Sequence, residues 1–207
     1  SGSCKSSDFS IFSFHPIKAI TTFEGGCVNF KNKKLFEKAK LLRSHGIVRT
    51  KNYWKYDVVL NGFNFRLNDV SASVGISQIK RLNKFITKRK KIAKLYFNLL
   101  KDNKFIKFSF YSFPKNNSWH LFIILIDFKS LKISKENFIK KMNSKGIFLQ
   151  VNYVPTSHFS IYKGKSFFKS SEKFYNRAVS LPIFFDLREN QIKNICNLIN
   201  QIIEKNK

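Results

Sequence analysis

The amino-acid sequence predicts an α/β protein. Three observations indicate this fold class. An apolar, aromatic run over residues 9–14 is typical of a buried strand, apolar residues recur at helical spacing over residues 33–43, and residues 119–127 form a nearly continuous apolar run that fits a central strand. With 207 residues and a hydrophobic share of 43%, the chain is long enough for one domain with a good core or for two small ones.

Local signals predict the elements of the first half. The expected elements, in chain order, are the strand over 9–14, a turn and strand over 25–30, a helix over 33–43 that Ser44, His45 and Gly46 end, a loop over 46–61, a helix that Asn68 or Asp69 caps, and a lysine-rich helix over 85–102. The basic run over residues 88–91 is expected on a solvated face of the last helix. The inner stripe of this helix is expected to consist of Ile86, Ile92, Leu95, Tyr96 and Leu99. This helix is expected to connect a first domain, residues 1–102, to a second domain, residues 103–207.

The second half predicts a small α+β domain. Its expected elements are a strand over 119–127, a helix from Ser134 to Ser144 that Gly146 ends, a strand over 147–154, a long loop over 155–170, a short helix over 172–178, an extended stretch from Ser180, and a helix over 189–204. The last helix is expected to turn four isoleucines inward, because they recur at helical spacing: Ile192, Ile195, Ile199 and Ile203.

A single lysine directly after the first strand is a candidate nucleophile. Pro16 ends strand pairing because it has no N–H group, and Lys18 then lies between Ile17 and Ala19. Burial in such apolar company disfavours the charged ammonium, and a neutral amine is competent for Schiff-base chemistry. The alternative is an exposed loop lysine in a chain rich in lysine. The residues alone leave both interpretations open.

The charge of the chain is strongly positive. Its 39 Lys and Arg residues against 12 Asp and Glu residues give a formal net charge of +27. A charge of this size indicates an acidic partner such as nucleic acid, an anionic membrane or a phosphorylated substrate. The basic residues are spread along the whole chain and form no stripe, so nucleic-acid binding is disfavoured.

Composition also bears on compartment and on metal binding. No apolar run is long enough to span a bilayer, and the N-terminus lacks the pattern of a signal peptide, so a cytoplasmic protein without a membrane partner is expected. Cys4, Cys27 and Cys196 have no paired spacing, and the four histidines have no metal-ligand spacing. Neither a disulfide framework nor a metal site is therefore expected, and Cys27 is expected to be a buried structural thiol.

Three stretches carry a resemblance to a known family. They are Ser13 to Lys18 followed by Thr21-Thr22 and Glu24-Gly25-Gly26, the block Gly62-Phe63-Asn64-Phe65-Arg66-Leu67, and the closing segments over 151–155 and 174–182. These stretches resemble the DegT/DnrJ/EryC1 family of nucleotide-sugar aminotransferases that depend on pyridoxal 5'-phosphate (PLP). Two positions depart from the family pattern. Phe23 replaces the usual glycine or alanine, and Asn152 replaces a histidine that many members have before the tyrosine.

The resemblance implies a fold and a set of site residues. The fold is the end of a fold type I PLP-transferase large domain followed by a small α+β C-terminal domain. In the family, the lysine at the place of Lys18 binds PLP covalently and is the catalytic residue. The serine at the place of Ser13 binds the cofactor phosphate, and the asparagine at the place of Asn64 reaches the phosphate of the other subunit in a homodimer. For Asn64 and Arg66 the alternative is that they only cap and anchor a loop.

The substrate contacts follow from the same resemblance. The candidate substrate-binding residues are His15, Arg66, Tyr153 and His158, the last as a substitute for the histidine missing at Asn152. The implied reaction transfers an amino group from an amino acid, usually glutamate, to a keto group of a nucleotide-linked sugar. The lysine segment is most similar to that of family members that aminate the C4 keto group of UDP-linked 4-keto-6-deoxy-HexNAc.

The resemblance covers only the C-terminal half of such an enzyme. In the family, the acidic partner of the cofactor's ring nitrogen and the stacking aromatic residue lie upstream of the lysine strand. This chain alone is therefore expected to be a poor catalyst, although residues 1–8 are expected to be native sequence. Two alternatives remain, a non-catalytic family member or partner subunit, and a basic nucleic-acid-binding protein. The second predicts salt-dependent nucleic-acid binding that does not need Lys18.

Overall fold

The protein divides into two compact units, Ser1–Asn83 and Lys84–Lys207. The structure is a computed structural model that describes residues 2–52, 54–110, 112–162 and 167–207. The division falls near the start of a long helix whose inner face belongs to the core of the second unit. The boundary expected at residue 102 concerns the domains of the complete family fold and stays a prediction.

The described residues of the first unit form two small antiparallel sheets and two helices. Its elements are β1 (Phe9–Ser13), β2 (Gly26–Phe30), α1 (Lys33–Arg43), β3 (Ile47–Arg49), β4 (Tyr56–Val58) and α2 (Asp69–Lys80). Strands β1 and β2 pair with Phe9 opposite Phe30 and with Ser13 opposite Gly26. Helix α2 begins where the sequence predicts, because the side chain of Asn68 accepts a hydrogen bond from the backbone N–H of Ser71.

Three expectations for the first unit are wrong. The strand at residues 9–13 forms, but it is not buried: Phe9 is 51% exposed and Ile11 is 70% exposed, since alternate side chains lie on an uncovered face of a two-stranded sheet within this unit. Residues 46–61 are not a plain loop, because β3 and β4 form a hairpin there. Cys27 is exposed, since it lies on β2, whose side chains are mostly exposed in this unit.

The second unit is an α+β arrangement around one three-stranded sheet. Its elements are α3 (Leu82–Leu100), β5 (Ile106–Phe108), β6 (Phe122–Ile126), α4 (Lys135–Asn143), two short 3-10 helices (Thr156–His158 and Ser160–Tyr162), α5 (Lys169–Arg177), β7 (Ala178–Leu181) and α6 (Glu189–Glu204). Strand β6 is central and pairs antiparallel with β5 and with β7. The central position explains the nearly continuous apolar sequence of β6.

One hydrophobic core holds the second unit together. Alternate residues of β6 are fully buried, and these are Phe122, Ile124 and Ile126. Helix α6 contributes the four isoleucines that its spacing predicts, all of them buried. Helix α4 begins at the predicted cap, where Ser134 accepts a hydrogen bond from the N–H of Asn137. None of the helices in the described ranges is long and apolar enough to cross a membrane.

Two expectations for the chain course of the second unit need correction. Residues 147–154 form no strand; the described part of this stretch has one isolated bridge, between Gln150 and Ser180. Its apolar character arises because Ile147 and Leu149 fill the core from irregular backbone. The long loop over 155–170 contains the two 3-10 helices, and residues 163–166 of that prediction lie outside the described residues.

The basic run on α3 also departs from expectation. Arg89 is buried, and its Nη1 lies 3.1, 3.2 and 3.0 Å from the carbonyl oxygens of Trp119, His120 and Ile183. Burial lowers the pKa of Arg89 from its ordinary value. The guanidinium is therefore a structural donor inside the unit. Of the expected inner stripe, Ile92 and Tyr96 are buried. Leu99 is 36% exposed, because the buried face of α3 continues through Leu100.

Candidate active site

The loop that carries Lys18 is closed by backbone hydrogen bonds. The N–H of Phe14 donates to the carbonyl of Gly25 at 2.9 Å, which extends the β1–β2 hairpin by one step. The carbonyl of Phe14 accepts from the N–H of Thr22 at 2.9 Å and from the hydroxyl of Thr21 at 3.0 Å. The N–H of Lys18 donates to the carbonyl of His15 at 2.9 Å. These bonds fix the backbone on both sides of the lysine.

The side chain of Lys18 is half-buried and uncommitted. No described side chain or carbonyl forms an ion pair or hydrogen bond with its ammonium group. Ser13 ends β1 with an exposed side chain, five residues before the lysine. Opposite Ser13, a Cβ atom at Gly26 would lie 2.6 Å from the carbonyl oxygen of Phe12. Glycine at this position therefore lets the two strands approach beside Ser13.

His15 is oriented by contacts within the same loop. Its Nδ1 accepts a hydrogen bond from the N–H of Ile17 at 3.4 Å, which assigns the proton of a neutral imidazole to Nε2. That Nε2 atom lies 3.8 Å from Oε1 of Glu24. The imidazole of His15 can therefore donate from Nε2 toward an acidic group.

The segment that carries Asn64 and Arg66 is bound to the end of α1. Backbone hydrogen bonds join the two stretches: His45 N–H to Phe63 O at 2.9 Å, Phe63 N–H to Leu42 O at 2.7 Å, and Phe65 N–H to Arg43 O at 2.9 Å. Nε of Arg66 donates to Oδ1 of Asn64 at 3.1 Å, and Nη2 of Arg66 lies 3.5 Å from Nε2 of His45. Because its oxygen is engaged by arginine, the exposed Asn64 side chain keeps its NH₂ group as a donor.

These donors suit a phosphorylated aldehyde cofactor such as PLP. An uncommitted primary amine at Lys18 is the group that binds an aldehyde carbon. The hydroxyl of Ser13 and the amide NH₂ of Asn64 are donors of the kind that phosphate oxygens accept. Within the described residues, no group of three or more His, Cys, Asp and Glu side chains could hold a metal ion. The chemistry of the donor set therefore fits PLP at Lys18.

The candidate residues of the second unit are arranged differently. Tyr153 is 67% exposed and follows Asn152, whose Oδ1 accepts from the hydroxyl of Ser180 at 2.7 Å. Nε2 of His158 lies 2.7 Å from Oε1 of Glu172. This pairing ties the 3-10 helix of His158 to α5, so one nitrogen of the imidazole is already engaged.

The structure groups the predicted residues by unit. Ser13, at the end of β1, directly precedes the loop that carries His15 and Lys18. Asn64 and Arg66 share the segment attached to α1. The two stretches of the first unit meet at Leu67, whose Cδ1 lies 2.9 Å from the place a Cβ atom of Gly25 would occupy. Tyr153 and His158 belong to the second unit.

Sequence reasoning missed three partners of these residues. Thr22 closes the lysine loop, His45 contacts Arg66, and Glu172 pairs with His158. Of the three, Thr22 alone lies within a stretch that resembles the family, but the sequence does not indicate that it closes the lysine loop. The other two contacts join residues more than ten positions apart and leave no spacing signal.

Comparison with known proteins decides the family. The model of the DegT/DnrJ/EryC1/StrS aminotransferase family matches residues 2–200. The chain belongs to this family. The aminotransferase resemblance of the sequence is thereby confirmed over nearly its full length, and the α/β fold agrees with the solved structures of the family.

Individual relatives and solved structures are consistent with this family assignment. The chain is 39% identical over 204 residues to the UDP-4-amino-4,6-dideoxy-N-acetyl-β-L-altrosamine transaminase of Campylobacter jejuni, covering 97% of this chain and 54% of the relative. The transaminase of the same name from Helicobacter pylori is 34% identical over 198 residues, with 94% and 52% covered. The structure of Helicobacter pylori PseC, an aminotransferase of pseudaminic acid biosynthesis, superposes with a TM-score of 0.88 at 33% identity and covers 96% of this chain and 54% of PseC. The chain thus spans about half the length of the curated relatives it matches.

Proposed function

We propose that this chain supplies the lysine-bearing part of a PLP-dependent aminotransferase. The reaction moves an amino group from an amino acid, glutamate in our proposal, to the C4 keto group of a nucleotide-linked 4-keto-6-deoxy sugar. One observation carries the proposal: a half-buried, uncommitted Lys18 amine in a loop that backbone hydrogen bonds close on both sides. The names of the Campylobacter and Helicobacter relatives support the UDP-linked amino-sugar class.

The residues of the lysine loop take distinct roles. Lys18 would hold the cofactor through Nζ. As a free amine, Nζ of Lys18 would be the base that removes the proton from the donor's α-carbon. PLP, when bound, withdraws electrons from that carbon. Ser13 donates its hydroxyl to the cofactor phosphate, and His15 donates from Nε2 to an acidic group of the substrate.

Asn64 and Arg66 act as a pair. Arg66 engages Oδ1 of Asn64 and leaves the NH₂ group of Asn64 as a donor. We propose that this donor binds the cofactor phosphate of a second subunit in a homodimer, and that the rest of the guanidinium contacts substrate. Tyr153 and His158 contact the sugar nucleotide. They belong to residues 103–207, which form the small C-terminal domain, while residues 1–102 are the end of the large domain. A cytoplasmic location is part of the same proposal.

The first test measures labelling of individual lysines. The chain is incubated with PLP or with pyridoxal, which lacks the phosphate, and is reduced with borohydride, and the modified lysines are mapped by mass spectrometry. We expect PLP to label Lys18 at least tenfold faster than pyridoxal does. At exposed Lys34 the two reagents should differ much less, because phosphate binding acts only near Ser13.

The controls separate binding from reactivity. Ser13→Ala should remove most of the preference for PLP at Lys18 while leaving pyridoxal labelling unchanged. Equal labelling of Lys18 and Lys34 by PLP would contradict the proposed cofactor site.

The second test measures amino transfer to a UDP-linked 4-keto-6-deoxy sugar. The chain is assayed together with the N-terminal half of the Helicobacter pylori relative. The result would favour a non-catalytic family member if Lys18 is labelled selectively but no amino transfer depends on it, that is, if no transfer is lost in Lys18→Ala. Salt-dependent binding to nucleic acid without labelling at Lys18 would favour the nucleic-acid alternative.

A further inference from the structure

We propose that Gly75 of helix α2 is a positioning residue for Lys18, and that it acts through the methyl group of Thr22. This inference rests on the proposed function of Lys18 as the cofactor-binding lysine. It concerns two residues 53 positions apart, neither of which has a reactive group directed at the cofactor.

Thr22 is the residue that closes the lysine loop. It is 2% exposed, although it is a polar residue of a unit with few buried side chains. Its N–H donates to the carbonyl of Phe14 at 2.9 Å, so residues 14 and 22 form the base of a loop with Lys18 at its middle. Its hydroxyl donates to the carbonyl of Glu24 at 2.9 Å. A displacement of Thr22 therefore moves the backbone that carries Lys18.

Two glycines leave space for Thr22. A Cβ atom at Gly25 would lie 2.6 Å from Oγ1 of Thr22, and a Cβ atom at Gly75 would lie 2.9 Å from its Cγ2. Gly25 has a φ of +149°, a backbone conformation that L side chains rarely adopt. Glycine is therefore favoured at position 25 for a second reason, apart from the space that Thr22 needs. Gly75 lies inside α2, where the backbone would accept alanine readily. The close approach of Thr22 therefore explains why position 75 of α2 is a glycine.

Thr22 cannot avoid an added methyl group by rotating its side chain. A threonine has only staggered choices at χ1, and leaving the present one breaks the hydrogen bond to Glu24. Moving the backbone of Thr22 instead strains its bond to Phe14. Moving α2 is also opposed, since its N-cap Asn68 follows directly on the segment attached to α1. The substitution Gly75→Ala is thus transmitted to the lysine loop.

The test uses a pair of substitutions that cancel. Gly75→Ala should slow PLP labelling of Lys18 at least tenfold, although alanine is the better helix former. Thr22→Ser removes only the Cγ2 methyl group and keeps the hydroxyl. The double variant Thr22→Ser/Gly75→Ala should therefore label Lys18 within about threefold of the unmodified chain and faster than Thr22→Ser alone. Ser77→Ala, at an exposed position of the same helix, is the matched control and should leave the rate unchanged.

A second readout keeps this inference separate from the proposed function. Hydrogen exchange of the Thr22 and Lys18 amides should accelerate in Gly75→Ala and return toward the original rates in the double variant, with or without PLP. If the unmodified chain shows no selective labelling at Lys18 but this exchange pattern holds, the proposed function fails and the positioning contact stands. Unchanged exchange in Gly75→Ala would overturn the inference. The inference would also be overturned if the double variant labels Lys18 no faster than Thr22→Ser does. This comparison remains valid even if Gly75→Ala alone does not fold.

Discussion

The two units of this chain are stabilised in different ways. The second unit buries a continuous core in which Phe122 and Ile199 are fully inaccessible. In the described part of the first unit, Cys4 is the one buried apolar side chain, while Phe9, Ile11 and Val70 are each more than half exposed. Backbone hydrogen bonds and close approaches at glycine define the first unit instead.

This difference separates stability from site geometry. The first unit carries Lys18 and its neighbours. The shape of the candidate site therefore depends on a few hydrogen bonds and on glycines that allow other groups to approach closely. The second unit can lose an exposed contact without consequence but not a core side chain. Matched substitutions in the two units test this contrast, because the chain offers the same residue type in both environments.

The largest contrast is expected between two phenylalanines in strands. Phe122→Ala in β6 should lower the free energy of unfolding by about 3–5 kcal/mol, since it removes a fully buried ring that packs against Tyr96 and Trp119. Phe9→Ala in β1 should change it by less than about 0.5 kcal/mol. Urea unfolding followed by Trp119 fluorescence in a Trp54→Phe background measures both. Equal losses would mean that β1 is as well packed as β6.

Two arginines give the next contrast. Arg89→Met should cost roughly 3 kcal/mol, because a buried carbonyl left without its donor costs about 1–3 kcal/mol and Arg89 serves three of them. Arg66→Met, which removes an exposed donor to Asn64, should cost less than about 0.5 kcal/mol. Urea unfolding followed by far-UV circular dichroism is the measurement. A small effect at Arg89 would show that water replaces the guanidinium.

Alanine substitutions at two glycines with positive φ distinguish backbone strain from steric overlap. Gly46 has φ +68°, and a Cβ atom there would overlap the carbonyl oxygen of Leu60; Gly146 has φ +74° and open space around it. Gly146→Ala should accelerate amide exchange of its unit about tenfold, from backbone strain of about 1–2 kcal/mol. Gly46→Ala should accelerate exchange of the Val59 and Phe63 amides about a hundredfold, roughly 2.7 kcal/mol. Equal effects would remove the close approach of Gly46 as a determinant.

Two cysteines give a contrast that is absent at neutral pH and appears only at high pH. Burial raises the pKa of the Cys196 thiol to about 12 from an ordinary value of 9.0. Above pH 9 the unfolded chain loses this proton and the folded chain keeps it, so stability falls as pH rises toward 12, by up to about 1.4 kcal/mol per pH unit. Cys196→Ala should make the dependence of unfolding free energy on pH shallower between pH 9 and 11. Cys27→Ala, at an exposed position, should leave that slope unchanged.

Elements with local signals could be predicted from the sequence. The helix over 33–43, the cap at Asn68 and the inward isoleucines of α6 depend on neighbours within a turn or two, so the sequence contains what determines them. The strand expected over 147–154 was wrong because an apolar run indicates burial and does not specify pairing. The hairpin within 46–61 was missed because its strands are only three residues long and mostly exposed, so they carry too short a pattern to indicate pairing.

The candidate site divides in the same way. The motif around Lys18 identified the loop, since the loop is contiguous in sequence. The burial of Arg89 was not predictable, because a run of four basic residues gives no sign of which one meets three carbonyl groups from distant segments. The contact between Gly75 and Thr22 is equally invisible in the sequence, since tertiary packing alone brings α2 to the loop.

The closed base of the lysine loop also separates two kinds of motion. Residues 14 and 22 are joined by a backbone hydrogen bond, and residues 14 and 25 by another. Opening the loop requires both to break, a local event on the microsecond or slower timescale, whereas a lysine side chain changes rotamer in picoseconds to nanoseconds. The Lys18 amine therefore swings on its four methylene groups about a base that is stationary on that timescale. Its reach is set by the side chain, and its point of attachment by the loop.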